Sequence, residues 1–212
     1  MKNSINMKKF GLTILIVFVF GLANAQTKKE SSYGVKGGLN IATWIGNVGN
    51  VSSKIGINFG IFTAIKISNR FSIQPELIYS SQGIKFNSIT VKIGGVDYSA
   101  EGKINLSYLD LPIMAKYYVF EKISLDFGPQ LGFLTTAKTE GTLNGNSLSQ
   151  DIKDNFKALD FGLNLGTEYV FSKNISAGVR YNFGLINIAK TQQGENSKAR
   201  NSILSLSLGY KF

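Results

Sequence analysis

The last stretch of the chain, from Asn201 to Phe212, reads NSILSLSLGYKF and decides the fold class. Its apolar residues recur at every second position, which is the period of a β-strand. A long strand of this kind invites pairing with other chains unless its edge is covered. A closed barrel covers that edge, because the last strand then pairs with the first.

Seven earlier stretches alternate in the same way, and the connections between them alternate between long and short. Short turns at one end and longer loops at the other, with an even number of strands, are typical of outer-membrane barrels. The sequence therefore predicts an all-β fold, an eight-stranded antiparallel up-and-down transmembrane β-barrel. The predicted strands cover residues 33–41, 55–67, 71–81, 104–119, 123–137, 156–171, 175–188 and 201–212.

The alternation is broken at two places. Pro75 lies in the middle of the third strand and cannot donate to the ladder, so we expect a bulge or a local irregularity there. In the fourth strand the apolar residues change parity near Tyr108 and Leu109, which predicts a second bulge. Residues 82–103 predict a hairpin that extends beyond the membrane, whereas residues 139–155 predict a polar loop.

The beginning of the chain has the pattern of a secretory signal peptide. Two lysines precede a run of apolar residues, and Ala-Asn-Ala at residues 23–25 offers an A-x-A cleavage site. We expect a signal peptide over residues 1–25 and an outer-membrane β-barrel domain over residues 26–212. Either Met1 or Met7 is the start.

The chain contains no cysteine and no histidine. Without cysteine, a hydrogen-bonded sheet rather than disulfides must supply rigidity after export. Without histidine, Ser-His-Asp and Cys-His catalysis and imidazole metal sites are excluded. We therefore predict a protein that is not an enzyme and holds no cofactor and no metal. The enzymatic alternative is a carboxylate pair, as glycosidases use, drawn from Asp110, Asp126, Asp160 and Glu168.

Periodicity alone does not say which face of the strands points outward, and a soluble lipocalin-like barrel with an apolar interior is the alternative. The apolar face is bulky and the opposite face is rich in glycine, which suits a narrow eight-stranded lumen. Charges of both signs can pair in a lumen, whereas an unpaired charge at the lipid midplane costs about 2–4 kcal/mol. We predict a lumen ion-pair network of Lys36, Glu76, Lys116, Asp126, Asp160, Glu168, Arg180 and Lys211. Aromatic residues near strand ends predict interfacial belts, with Tyr79, Tyr117, Tyr169, Tyr210 and Trp44 as members.

Several motifs, in this order, resemble the PorT-like outer-membrane β-barrel proteins of Bacteroidetes. They are GVKGGLN (34–40), QPELIYSSQG (74–83), YLDLPIMAKYY (108–118), GPQLGFL (128–134), DFGLNLG (160–166), RYNFGL (180–185) and LGYKF (208–212). The resemblance implies a small barrel in the outer membrane, and the namesake of the family is associated with type IX secretion. The terminal Leu208, Tyr210 and Phe212 also resemble the signal read by the barrel-assembly machinery; an ordinary last strand is the alternative.

These features predict a monomeric, non-enzymatic barrel with a plugged lumen, which stiffens the membrane or presents loops for binding. Both termini are expected in the periplasm. A net charge of +10 favours outer-membrane lipid and lipopolysaccharide as partners, with Lys190, Lys198 and Arg200 near phosphate. Scattered solubilising lysines are the alternative explanation. The second hypothesis for function is an accessory of a secretion or transport assembly, and export argues against a nucleic-acid partner.

Overall fold

The computed structural model describes residues 31–49, 51–93, 96–143, 146–190 and 198–212. Within these ranges it describes every side chain except those of residues 87–93, 96–100, 143 and 146. The expected signal peptide, residues 1–25, lies outside the described residues.

Antiparallel strands make up nearly all of the described chain. In those ranges there are nine, with bounds β1 (Ser31–Gly46), β2 (Ser52–Lys66), β3 (Phe71–Ile93), β4 (Val96–Phe120), β5 (Ile123–Leu143), β6 (Asn146–Asp151), β7 (Leu159–Val170), β8 (Ile175–Gly184) and β9 (Ala199–Lys211). A 3₁₀ turn, Lys153–Asn155, lies between β6 and β7. Eight of the strands close into a ring in the order β1-β2-β3-β4-β5-β7-β8-β9, and β9 pairs back onto β1. The prediction of an eight-stranded antiparallel barrel is confirmed.

The two ends of the barrel differ in their connections. Tight turns join β2 to β3, β4 to β5 and β7 to β8 at one end, which we name the turn end. β1 also begins there and β9 ends there, and Phe212 N donates a hydrogen bond to Tyr33 O over 2.9 Å. The opposite end, where the longer connections lie, is the loop end.

Three strands of the ring, β3, β4 and β5, continue past it at the loop end, where β6 pairs with β5. β3 and β4 pair as far as Ile93 opposite Val96, so the predicted hairpin over residues 82–103 is confirmed. The prediction of a polar loop over residues 139–155 is wrong in its first part, because β5 and β6 form a second hairpin there. A polar segment forms a strand when a neighbour supplies backbone partners, and β4 supplies them to β5.

Bulky apolar side chains face outward around the ring. Ile57, Phe59 and Leu208 are 52%, 53% and 64% exposed, whereas the inward-facing Asn164 and Glu76 are fully buried. A soluble barrel would show the reverse arrangement, so that alternative is wrong. The polar residues of each strand therefore meet one another inside a closed sheet.

The structure shows no register shift at Pro75, but near Tyr108 it shows one in the ladder between β4 and β5. The register between β3 and β4 runs unbroken from Pro75 opposite Ile113 to Phe86 opposite Gly102. The extra residue lies on β5 instead: Thr135 is skipped between the pairs Ser107–Thr136 and Tyr108–Leu134. The change of parity in β4 has another cause, because Leu106 and Tyr108 point into the lumen and are fully buried. The lumen itself becomes apolar towards the loop end.

Two neighbouring glycines of β1 provide a test of the closure. A Cβ atom at Gly38 would lie 1.8 Å from Leu206 O and 2.7 Å from Ser207 Cα, both backbone atoms of β9. At Gly37 the nearest atom, Asn58 O, would be 3.6 Å away. We expect Gly38→Ala to lower the free energy of unfolding by about 1–3 kcal/mol, since the seam must shift to admit the methyl group.

The measurement is urea-dependent unfolding in lipid vesicles, followed by the fluorescence of Trp44. Gly37→Ala is the matched control and should change stability by less than about 0.5 kcal/mol. Equal stabilities for the two variants would contradict the tight β1–β9 seam.

Candidate functional site

The interior of the barrel is the candidate site, and a cluster around Glu76 lies within it. Glu76 is fully buried, and its carboxylate accepts one hydrogen bond from each terminal nitrogen of Arg180, both over 2.8 Å. Lys36 Nζ lies 3.3 Å from Glu76 Oε1, and Gln74 Nε2 donates to the same oxygen over 2.9 Å. One carboxylate on β3 thus joins cationic groups from β1 and β8 across the lumen.

Lys116 is the centre of a second ionic cluster. Its ammonium group lies 2.8 Å from Glu168 Oε1 and 3.3 Å from Asp126 Oδ2. Ser124 Oγ donates a hydrogen bond to the other oxygen of Asp126 over 2.6 Å. The cluster ties β4, β5 and β7 together, and it occupies two of the carboxylates that the enzymatic alternative requires.

The remaining two residues of the predicted network do not join these clusters. Asp160 accepts hydrogen bonds from Asn201 Nδ2 over 2.7 Å and from the backbone N–H of Phe161 over 2.8 Å. Lys211 has inward parity near the turn end, and neither residue forms a salt bridge within the described ranges.

Buried amides form a third network that the sequence analysis did not single out. Asn40 Oδ1 accepts from Asn58 Nδ2 over 2.7 Å and from Ser205 Oγ over 2.8 Å. On the adjacent strands β7 and β8, Asn182 Nδ2 donates to Asn164 Oδ1 over 3.1 Å. The signal for this network was the inward parity of these residues on their strands, which placed polar side chains in one layer.

A cluster of buried apolar side chains, which we name the plug, lies inside the barrel at the loop end. Trp44 packs against Phe156 with ring centroids 5.7 Å apart, although Trp44 had been expected in an interfacial belt. That expectation is wrong because Trp44 has the inward parity of Asn40 and Ala42 on β1. The tyrosines Tyr117, Tyr169 and Tyr210 do face outward. The plug consists of Leu106, Tyr108, Leu134, Ala137, Phe156, Ile188 and Ala199.

Phe62 narrows the lumen at the turn end. This residue breaks the alternation of β2, and its ring lies over Gly34 and near Gly209: a Cβ at Gly34 would be 2.3 Å from Phe62 Cζ. Between Phe62 and the plug, a cavity of about 40 Å³ remains among the polar side chains. The outward-facing Leu208, Tyr210 and Phe212 complete the last strand and are 64%, 47% and 74% exposed.

The Glu76 cluster gives a stability prediction. Glu76→Gln keeps the shape of the side chain but leaves Arg180 and Lys36 without their buried counter-charge. Removing one partner of a buried ion pair costs about 3–5 kcal/mol, and we expect a loss of that order in the free energy of unfolding.

The control is Glu140→Gln in the extension at the loop end. Glu140 Oε2 lies 3.1 Å from Lys103 Nζ, and this hydrogen bond lowers the pKa of the Glu140 carboxyl group. Both side chains are nearly half exposed, so the substitution should not measurably change stability in urea titrations. A Glu76→Gln variant as stable as Glu140→Gln would contradict the structural weight given to the buried cluster.

Solved structures that are similar to the chain include three bacterial proteins. Ail, the attachment invasion locus protein of Yersinia pestis, is 13% identical at a TM-score of 0.46, over 86% of this chain and 99% of Ail. Neisserial surface protein A is 15% identical at a TM-score of 0.46, over 86% of this chain and 99% of its own. OprG of Pseudomonas aeruginosa is 12% identical at a TM-score of 0.43, over 87% and 97%. No curated protein sequence matches the chain.

Within the described residues, no helical segment is long and apolar enough to span a membrane.

The chain also matches a protein family. The family model for the outer membrane protein beta-barrel domain matches residues 24–190, which is more than half of the chain. The chain therefore belongs to the outer membrane protein beta-barrel domain family.

Proposed function

We propose that this outer-membrane barrel is non-enzymatic, that its lumen is closed to solutes, and that it acts by binding phosphate-bearing lipopolysaccharide at its loop end. The observation that carries the proposal is a group of exposed basic side chains on one side of the mouth in which the apolar plug lies. The binding surface then lies outside the lumen, and the barrel serves as its anchor.

The closed lumen is supported by three obstacles in series. Phe62 narrows the turn end, the clusters of Glu76 and Lys116 cross the middle, and the plug around Phe156 fills the loop end. Eight strands enclose a space only just wide enough for side chains. These obstacles among the described residues support a lumen that offers solutes no pathway and a substrate no room.

A conductance measurement tests this closure. In planar lipid bilayers we expect the wild-type protein and Phe156→Ala to show no unitary current, because the ionic clusters persist below the plug. Current through the wild-type barrel would contradict the closed lumen.

We infer the orientation from the first and last strands of the ring. β1 begins at the turn end and β9 ends there, and in outer-membrane barrels the short turns lie on the periplasmic side. The loop end then faces the outer leaflet, where lipopolysaccharide carries phosphate groups.

Backbone hydrogen bonds beside the plug bring basic residues from three segments together at the loop end. Lys157 N donates to Ile188 O over 2.8 Å, and Lys190 N donates to Asn155 O over 2.9 Å. Ile188 N donates to Ala199 O over 2.8 Å, which brings the start of β9 to the same place. We name the exposed cations there the basic rim: Lys157, Lys190, Lys198 and Arg200.

The basic rim suits a multivalent anion. Each Lys or Arg close to an anionic membrane surface contributes about 1 kcal/mol, and four of them on one mouth act together. Ion pairing at an exposed site is screened by salt, so the affinity should fall as ionic strength rises.

Neutralising the rim tests the binding. Lys157→Ala, Lys190→Ala, Lys198→Ala and Arg200→Ala together should weaken binding of purified lipopolysaccharide to the detergent-solubilised barrel at least tenfold, as measured by titration calorimetry at low salt. The fold should persist, because all four side chains are exposed.

The matched control removes exposed cations from the turn end: Arg70→Ala, Lys122→Ala and Lys173→Ala. This variant should bind as the wild type does. Equal weakening by both sets would show that only net charge matters and would overturn the assignment of the site to the loop end.

We infer further that the chain is a PorT-like barrel of Bacteroidetes, on the order of its motifs. We also infer that Leu208, Tyr210 and Phe212 form the signal for the barrel-assembly machinery and that the barrel works as a monomer. A role as an accessory of secretion stays a hypothesis, since it rests on the resemblance alone.

A further inference from the structure

The second hairpin at the loop end has a free edge. β6 pairs with β5 as far as Asp151 opposite Lys138, and no other strand pairs with β6 in the part of the chain that the structure describes. The consecutive residues 147–151 are all exposed, so the outer edge of the strand is open to solvent. Neither the closed lumen nor the basic rim makes use of this strand.

The hydrogen-bond pattern indicates which backbone groups of β6 face the open edge. Just past the strand, Ile152 N donates to Ala137 O over 3.0 Å, so these residues form a hydrogen-bonded pair in the register of β5 and β6. Hydrogen-bonded pairs alternate with non-hydrogen-bonded pairs in an antiparallel ladder. By this alternation Leu148 bonds to β5, whereas the N–H and C=O groups of Ser147 and Ser149 point away from β5.

The sequence of β6 carries few of the features that protect an edge from pairing. Natural edge strands use proline, lysine or a bulge for this purpose. Residues 146–151 read NSLSQD, and they pair with β5 without a register shift. The strand is six residues long, so the segment that it can accept is short.

Leu148 lacks a side-chain neighbour on the adjoining strands. It is 57% exposed and lies opposite Gly141 on β5, which in turn lies opposite Gly102 on β4. Side chains that are directly opposite each other on neighbouring strands have Cβ atoms about 4.5–5.5 Å apart and stabilise the pair. A strand on the open side of β6 would supply Leu148 with the neighbour that the two glycines do not.

We propose that β6 binds an extended segment of another polypeptide, which adds to the sheet as an antiparallel strand and places an apolar side chain opposite Leu148. The N–H and C=O groups of Ser147 and Ser149 alternate at the spacing of a strand, and an extended backbone is the partner that matches them. Each serine donates one hydrogen bond to the segment and accepts one from it.

The orientation of the barrel favours a separate polypeptide over a second copy of this chain. β6 pairs with β5, which is itself a strand of the barrel wall. Two barrels inserted the same way into one membrane have their β6 strands running in the same direction. A second copy therefore cannot offer an antiparallel strand, and parallel pairing is less stable per residue.

The probe is the fluorescein-labelled peptide KTTFTTK, titrated with the whole barrel folded in detergent and followed by fluorescence polarisation. Threonine favours the extended conformation, and the lysines keep the peptide soluble. In the antiparallel register the phenylalanine lies opposite Leu148 and the first lysine opposite Asp151, an opposite-charge pair across the strands. We expect saturable binding.

Ser149→Pro should weaken this binding at least tenfold, because proline removes the N–H that faces the open edge. The variant should fold, since that N–H makes no bond to β5 and proline is tolerated on edge strands. Ser149→Ala is the matched control: it keeps the N–H and should bind as the wild type does. Leu148→Ala should weaken binding at least threefold by removing the apolar contact.

Methylation of single backbone nitrogens in the peptide tests the same geometry on the other side. The N–H of the third residue, opposite Ser149, faces β6, and its methylation should weaken binding at least tenfold. The N–H of the phenylalanine faces away from β6, and its methylation should leave binding unchanged. This comparison uses the wild-type barrel and still decides if Ser149→Pro does not fold.

Three results would overturn the proposal. One is a wild-type barrel that does not bind the peptide, or binding that Ser149→Pro leaves intact. Another is equal weakening by methylation at the two positions. The third is a barrel that associates with itself in sedimentation experiments until Ser149→Pro separates the copies, which would make a second copy the occupant. Lipopolysaccharide binding should be unchanged in Ser149→Pro, which separates the edge from the basic rim.

Discussion

Closure of the backbone hydrogen-bond ring is the constraint on which the rest of the molecule depends. Inside a bilayer, unpaired N–H and C=O groups have no water to bond to, so a sheet that spans it cannot keep an open edge. Here β9 returns to β1 with Leu206 opposite Leu39, and the ring is complete. Closure then forces every side chain onto one of two faces. Apolar residues face the lipid, and polar and charged residues point into the narrow interior.

Polar and charged groups therefore lie in the lumen, because burying them in lipid is costly. There they must form hydrogen bonds and ion pairs with one another. Glu76 illustrates how: one carboxylate serves Arg180, Lys36 and Gln74. Buried ion pairs add little net stability compared with well-packed apolar residues, but a missing partner is costly. The lumen thus constrains register more than it adds strength, since a strand shifted by one residue would expose a charge to lipid.

The ring, its strand count and its two faces follow from the sequence because they depend on a local period of two and on short turns. The partners inside the lumen do not, because Glu76 and Arg180 are separated by 104 residues and meet only through the register of several strands. The parity change at Tyr108 differs from its prediction for a related reason. It indicates an extra residue in β4 only if the lumen is polar throughout, whereas the plug makes part of the lumen apolar. Trp44 was placed in the wrong environment by the same assumption.

The seam between the first and last strands has a consequence for biogenesis. Gly34 pairs with Lys211, so the contact that seals the cylinder joins the two extremes of the described chain. Contacts between residues so far apart in sequence form late and slowly. The last strand, β9, must therefore be synthesised before the cylinder can close. Until then, each chain carries two unpaired strand edges. Carriers that keep such intermediates apart, and a catalyst that joins the margins, are demands that this topology places on the cell.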